Sequence, residues 1–425
     1  MRRRFVIMTA ALDSAALVVG VLVASQLVFD HLLPWVARPG IWPLLSFLYI
    51  GLIAGSYVSA RMWGTGVPRP SYGRALYIGV TAVAVTSLLL VIFRDAYFSR
   101  RFVYVTAAAW LVLAFAHRAV SRSRPWTEPM VLITGEKQFI DHLRLAPHAW
   151  VADVLDPRAE DRAEQPPGGV TLAVDLRAIL SEQMAQLVAS TNLAGYTVRS
   201  LANVYEEHTG RLPIVHLAEG WELQTPVQQA ASYAPLKRGL DILLVLLTSP
   251  LAMLLSGLIW VAVRVDSPGP AIFNQQRVGR NGELFTLHKF RTMVEGADLD
   301  GPRFAVADDE RLTRVGRFLR RFRADELPQL WNVLMGDLSL VGPRPEQPEF
   351  VKAFTESIPF YAYRHLIRPG VTGWAQVNYG YADDEADTVE KLTYDLYYLK
   401  HMSLWLDLQV FGKSIWTVLS GFGAQ

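Results

Sequence analysis

Four apolar runs fill the first 120 residues, near 5–29, 42–60, 75–93 and 102–120, each about the length that crosses a hydrocarbon core as a helix. Lipid offers no partner to a free backbone amide or carbonyl, so helices are the expected solution. Trp35, Trp42, Trp63, Tyr72, Tyr97 and Phe98 stand at the ends of the runs, where amphipathic rings favour the membrane interface. Four crossings return the chain to its starting side. Nine arginines (2, 3, 4, 61, 69, 74, 118, 122 and 124) then fall on one side against four (38, 94, 100 and 101) on the other, which places the remainder in the cytoplasm. The first run is long enough to remain as an anchor rather than a cleaved signal. Asp13, the one acid inside a run, is expected to reach the interface from near a helix end.

A hydrophobic share of 51% suits a mixed membrane and cytosolic protein. With 41 bases against 39 acids there is no overall field to attract nucleic acid, and the absence of cysteine excludes disulfides and thiolate metal sites.

Residues 125–232 form the second expected domain, after a transmembrane bundle at 1–124. "PMVLITGEKQFIDHLRLA" reads as strand, turn and helix, and "GVTLAVDL" and "GYTVRSL" read as buried strands flanking a helical "AILSEQMAQLVAS". The result is a small Rossmann-like α/β domain. Gly135 is followed by Glu136 and Lys137, so a dinucleotide fingerprint is missing and a structural or regulatory role is expected.

The third expected domain, 233–425, starts with another apolar run. Leu240–Val263 is long enough to span, with Lys237 and Arg238 before it and Arg264 after. Ser249 and Pro250 lie near its middle, where proline removes an N–H and the serine hydroxyl can satisfy a freed carbonyl. Residues 237–264 are therefore expected to dip into the bilayer and return on the same side.

Beyond it, "LFTLHKFRTM" as a strand would put Phe285, Leu287, Lys289 and Arg291 on one face. Arg277, Arg280, Lys289 and Arg291 suit phosphate oxygens or anionic headgroups. In "RRFRADELPQLWNVLMG", Asp325 reads as a helix N-cap with Glu326 immediately inside, close to Arg320, Arg321 and Arg323. A helix terminus would keep Asp325 ionised and attract phosphate. Such a carboxylate can attack phosphorus if cations neutralise the crowded negative charge. Adjacent carboxyls cannot flank a glycosidic bond, which disfavours a glycosidase.

"FNQQRVGRNGELFTLHKFRTM", "RLTRVGRFLRRFRADELPQLWNVLMGDLSLVGPRP" and "IRPGVTGWAQVN" closely resemble the bacterial sugar transferases, from about Lys237 to Thr417. Four preceding spans and a small α/β domain resemble the large monotopic phosphoglycosyl transferases that initiate exopolysaccharide or O-antigen synthesis. The resemblance implies transfer of a sugar-1-phosphate from a UDP-sugar to polyprenyl (undecaprenyl) phosphate, with release of UMP, at the cytoplasmic face of a bacterial inner membrane. It implies that Asp325 is the nucleophile, that Glu326 aids with metal or proton, and that Mg2+ binds near both. The helix-breaking pair falls on Ser249 and Pro250. Lys289, Arg291 and Arg344 are the implied phosphate ligands, with Arg277, Arg323 and Arg368 as further candidates. Gln276 stands where the family often has Glu, and "RAD" replaces a commoner "SLD" or "SID".

Trp405, Leu408, Phe411, Ile415 and Trp416 recur at helical spacing, which suits a helix at the membrane interface or a packed core helix. Tyr394, Tyr397 and Tyr398 are expected to pack rather than to act. Pairing into a homodimer is compatible with the helical bundle, although no heptad or small-xxx-small seam decides the oligomeric state. A transporter and a non-catalytic scaffold are the competing classes; the first lacks an intramembrane polar network, and the second leaves Asp325 among cations without a purpose.

Overall fold

The computed structural model describes residues 2–62, 72–94, 96–123, 126–160, 165–214, 224–296, 311–379 and 385–420; Trp63, Arg69 and Arg124 lie outside them. Two compact units emerge, Met1–Ala173 with Leu180–Arg199, and Val174–Ile179 with Ser200–Gln425.

The first unit begins with α1 (Arg2–Phe29), the single turn α2 (Pro34–Ala37), α3 (Trp42–Met62), α4 (Tyr72–Ile92) and α5 (Arg100–Ser123). Four segments here are long and apolar enough to cross a membrane, yet only 17% to 33% of their most apolar windows is buried inside the protein. The rest of that surface needs lipid. A Cβ on Gly51 would lie 2.6 Å from the Ala82 carbonyl oxygen, and one on Gly55 would lie 2.9 Å from that of Ile78. Gly51-x-x-x-Gly55 is therefore a small-xxx-small seam within the chain, which brings the backbones of α3 and α4 together.

Asp13 corrects an expectation. It is buried, and Arg118 grips both its oxygens, Nη1 to Oδ1 at 2.6 Å and Nη2 to Oδ2 at 2.8 Å. His117 Nε2 lies 2.9 Å from the same Oδ1, and Trp110 Nε1 donates to the Asp13 carbonyl at 3.0 Å. The acid is held inside the bundle, not turned to the interface.

The sheet of this unit contains β1 (Glu128–Ile133), β2 (Ala149–Leu155), β3 (Thr171–Val174) and β4 (Thr197–Ser200) in the order β2-β1-β3-β4. Helix α6 (Lys137–Leu145) connects β1 to its parallel neighbour β2, and α7 (Glu182–Leu193) starts at Ser181, whose hydroxyl accepts from Met184 N. The strands expected from the sequence are β1, β3 and β4. β2 is an addition: it is an edge strand, largely uncovered, without the apolar run that identifies buried strands.

The second unit has α8 (Leu201–Thr209) and then α9 (Gln224–Asp266), which contains the fifth membrane-length segment, only 6% buried over its apolar window. The helix continues through Pro250. Proline there cannot supply the N–H that would bond the Leu246 carbonyl, and the Ser249 hydroxyl donates to that carbonyl instead at 2.8 Å. Both ends of the apolar run are tied to the same unit. Lys237 pairs with Asp407 at 2.7 Å, Arg238 donates to the Val333 and Leu334 carbonyls, and Asp266 accepts from Val315 N at 2.9 Å.

β5 (Ile272–Val278) and β6 (Leu284–Phe290) form an antiparallel hairpin that pairs Phe273 with Lys289 and Arg277 with Phe285. There follow α10 (Arg314–Arg321), α11 (Gln329–Met335), β7 (Ser339–Val341), α12 (Pro348–Ser357), β8 (Gly370–Thr372), α13 (Trp374–Asn378), α14 (Glu385–His401) and α15 (Leu404–Ser420). β7 and β8 pair in parallel, and a Cβ on Gly342 would lie 2.5 Å from the Arg368 carbonyl oxygen. Only glycine lets the Gly-Pro-Arg-Pro turn lie this close to the strand. Tyr398 is buried and donates to Asp407 at 2.5 Å, as expected of a packing residue.

Candidate active site

Three segments of the second unit converge on Asp325. The β5–β6 hairpin supplies Lys289, the 3-10 turn Ala324–Glu326 supplies both acids, and the turn after β7 supplies Arg344. Phe290 and Leu319, with Val263 of α9, form an apolar floor against which Ala324 and Leu327 pack, so the residues flanking the acids are anchored. Asn332 is buried on α11; its Oδ1 accepts from His288 N at 3.2 Å and its Nδ2 donates to Thr286 O at 2.8 Å. That side chain bolts α11 to β6 and so fixes the acids relative to Lys289. Its signal in the sequence is a lone polar residue within "LWNVL".

The acids differ from the expected N-cap arrangement. Arg323 adopts a left-handed conformation with φ 51°, and the chain turns as a 3-10 helix through Asp325 and Glu326 before α11 starts at Gln329, with Pro328 as its N-cap. Dipole stabilisation from α11 therefore does not account for Asp325. Burial raises its pKa to about 6, with Glu326 pushing the same way and Lys289, Arg320 and Arg344 opposing. The expectation that Asp325 is held firmly ionised is corrected to one poised near neutrality.

The two acids also differ in partners. Glu326 accepts from Arg344 Nη1 at 3.2 Å and faces Arg323 Nη1 at 3.6 Å. Asp325 makes no hydrogen bond or ion pair with any described residue, although three cations act on it. Lys289 lies 4.9 Å from the Phe273 ring centre, and its pKa is lowered to about 8 by burial, then by Arg277 and Arg344.

Arg277 lies beside this cluster as a brace. It donates to the Pro345 carbonyl at 3.0 Å and to Gln275 Oε1 at 2.7 Å, which holds the Gly-Pro-Arg-Pro turn on β5. Burial lowers its pKa to about 10, offset by Glu346. Arg320, not placed among the phosphate ligands from sequence, joins the cations around Asp325 while its Nε donates to Thr292 at 3.1 Å.

Two expected ligands point elsewhere. β6 ends at Phe290, so the period-two face does not extend to Arg291, whose Nη2 donates to Ser267 O and Oγ at 2.8 Å each. Arg368 Nε donates to the Gly336 carbonyl at 3.0 Å, at the far end of α11.

The acids fit magnesium, which is commonly held by one or two carboxylates together with substrate phosphates. Among the described residues nothing bonds the oxygens of Asp325, and Glu326 adjoins it. Among the described residues no three metal-type side chains gather, so substrate oxygens and water would complete such a site.

The sequence profile described as "Bacterial sugar transferase" matches residues 232–421. Over 249 residues the chain is 45% identical to the UDP-N-acetylgalactosamine-undecaprenyl-phosphate N-acetylgalactosaminephosphotransferase of Aeromonas hydrophila, covering 58% of each protein. It is 37% identical over 253 residues to the UDP-glucose:undecaprenyl-phosphate glucose-1-phosphate transferase of Escherichia coli (strain K12), covering 57% of this chain and 51% of that one. The sugar transferase EpsL of Bacillus subtilis (strain 168) is 42% identical over 163 residues, 38% of this chain and 77% of its own. The chain thus spans little more than half the length of the first two relatives.

Proposed function

Because this chain belongs to the bacterial sugar transferase family, we propose that it transfers a sugar-1-phosphate from a UDP-sugar to undecaprenyl phosphate at the cytoplasmic face of a bacterial inner membrane. The observation that carries the mechanism is the carboxylate of Asp325, beside Lys289, Arg320 and Arg344 yet without a bonding partner among the described residues. An Asp325 oxygen attacks the phosphorus bearing the sugar; the bond to the bridging oxygen breaks, and UMP leaves with that oxygen. The resulting acyl phosphate is attacked by a phosphate oxygen of the lipid, which forms the diphosphate and returns Asp325 as a carboxylate. Asp325 and Glu326 would hold a divalent cation, which would supply charge neutralisation there. Glu326, clamped by Arg344, orders the pocket. Lys289, Arg344 and Arg320 hold phosphate oxygens, while Arg277 and Arg323 support the turns that carry them.

Two half-reactions suit two poorly miscible substrates, and the re-entrant reading of 237–264 serves the second. Val245 packs in the cluster of Leu287 and Val333, and Val263 in that of Phe290 and Leu319. Leu287 and Phe290 are about 10 Å apart along a strand, whereas a straight helix would part Val245 from Val263 by about 27 Å. A bend around Ser249 and Pro250 reconciles these spacings. Leu408, Ile415 and Trp416 are exposed on α15, which suits a helix resting in the interface. The domains are then a transmembrane bundle at 1–124, an α/β module at 125–232 and the transferase at 233–425. The sequence favours no sugar, so purified protein supplied with undecaprenyl phosphate and a panel of UDP-sugars should release UMP with one donor or a few. No UMP with any donor would remove the proposal.

A further inference from the structure

A second cluster of cations lies at the opposite end of α11. Arg238, Arg280 and Arg368 line a cavity of about 80 Å3 together with Lys237, Asp241 and Ser339. Its one lining acid, Asp241, accepts from the Ser339 hydroxyl at 2.8 Å, and Lys237 is paired with Asp407 at 2.7 Å. Arg238 spends both Nη groups on the Val333 and Leu334 carbonyls, and Arg368 spends its Nε on Gly336. The two Nη groups of Arg368 and the whole guanidinium of exposed Arg280 donate to no described residue. Burial lowers the Arg368 pKa, and the repulsion of Arg238 and Arg280 lowers it further against the opposing pull of Asp241. The space accepts several waters or one tetrahedral oxyanion.

We propose that this cavity binds the phosphate of an anionic phosphodiester, supplied by a bilayer lipid, at a site separate from the one around Asp325. Free guanidinium forks match phosphate oxygens in pairs, and an anion would relieve the repulsion among the three arginines. Arg238 stands immediately before the apolar run of α9, which sets the cavity at headgroup depth. Ten residues separate Glu326 from Gly336, roughly 15 Å along a helical path, so one phosphate cannot serve both clusters. The site would pin the start of the membrane segment to the bilayer surface independently of sugar transfer.

Native mass spectrometry of the full-length protein in neutral detergent tests this, with dioleoylphosphatidylglycerol, dioleoylphosphatidylcholine and inorganic phosphate as probes. Wild type should retain phosphatidylglycerol in preference to phosphatidylcholine. Arg280→Gln, on an exposed turn where folding is insensitive, should weaken retention by about tenfold, and Arg280→Lys should restore most of it. Arginine-dependent binding of inorganic phosphate without lipid retention would support the phosphate chemistry but assign it to a soluble source. Equal binding of every probe by wild type and Arg280→Gln would overturn the proposal. So would loss of lipid in Arg344→Ala with retention in Arg280→Gln, because the anion would then belong to the Asp325 site.

Discussion

Asp13 and Asp325 both face basic side chains, and the protein treats them in opposite ways. Asp13 in the first unit is saturated, with both oxygens bonded to Arg118 and His117 adjoining. Asp325 in the second unit feels Lys289, Arg320 and Arg344 but bonds to none of them. A fully paired carboxylate has its lone pairs occupied and serves to hold helices together. An unpaired one retains the oxygen that chemistry requires, at a cost to stability when it ionises.

The largest effect should come from breaking the saturated pair. Arg118→Ala strips the buried Asp13 of its guanidinium, leaving the His117 ring beside one oxygen, and should cost about 3–5 kcal/mol of stability. Asp13→Ala/Arg118→Ala should lose much less than the sum of the single changes, as read by thermal unfolding in detergent. If the double change costs the sum, the pair is not a unit.

In the other region, Arg344→Ala should slow turnover by about 10²–10³-fold, or about 2.7–4 kcal/mol, with little change in unfolding temperature. Near-normal activity would take Arg344 out of the phosphate set. Asp325→Asn should instead stabilise. The folded-state pKa near 6 lies above the ordinary carboxylate value of 3.8, so the contribution of Asp325 to stability is full below about pH 4 and is lost as pH rises through 6. At pH 8 the ionised form costs up to about 3 kcal/mol, which asparagine removes. Asn should therefore raise the unfolding temperature by about 2–4 °C at pH 8 and by almost nothing near pH 4. An Asn variant less stable at pH 8 would contradict the contrast with Asp13.

The smallest effects are those of pH on rate. Attack requires ionised Asp325, and phosphate binding requires protonated Lys289, so kcat/KM should rise through about pH 6 and decline above about pH 8. Lys289→Arg should shift the alkaline limb upward and leave the acid limb in place.

What the sequence disclosed followed the distance over which each feature is encoded. Membrane-length helices are contiguous runs, and all five were legible. The acids and the Gly-Pro-Arg-Pro turn were legible as compact motifs with fixed neighbours. The Asp13–Arg118 pair joins residues 105 apart, which no local pattern reveals. Strand periodicity groups Arg291 with Lys289, but β6 ends one residue before Arg291; the sequence reads Asp325 as an N-cap, but the left-handed turn at Arg323 leaves no mark in composition. Arg368 and Arg280 are separated by tertiary packing into a cluster of their own.

The most direct test of the contrast is to trap Asp325 in use. Protein incubated with the active UDP-sugar and magnesium, without lipid phosphate, should release up to one equivalent of UMP. The peptide containing Asp325 should gain the mass of the sugar phosphate, and Asp325→Asn should show neither change. UMP that appears only when lipid phosphate is added, with no adduct on that peptide, or substantial turnover by Asp325→Asn, would contradict a nucleophilic Asp325 and favour direct transfer between the two substrates.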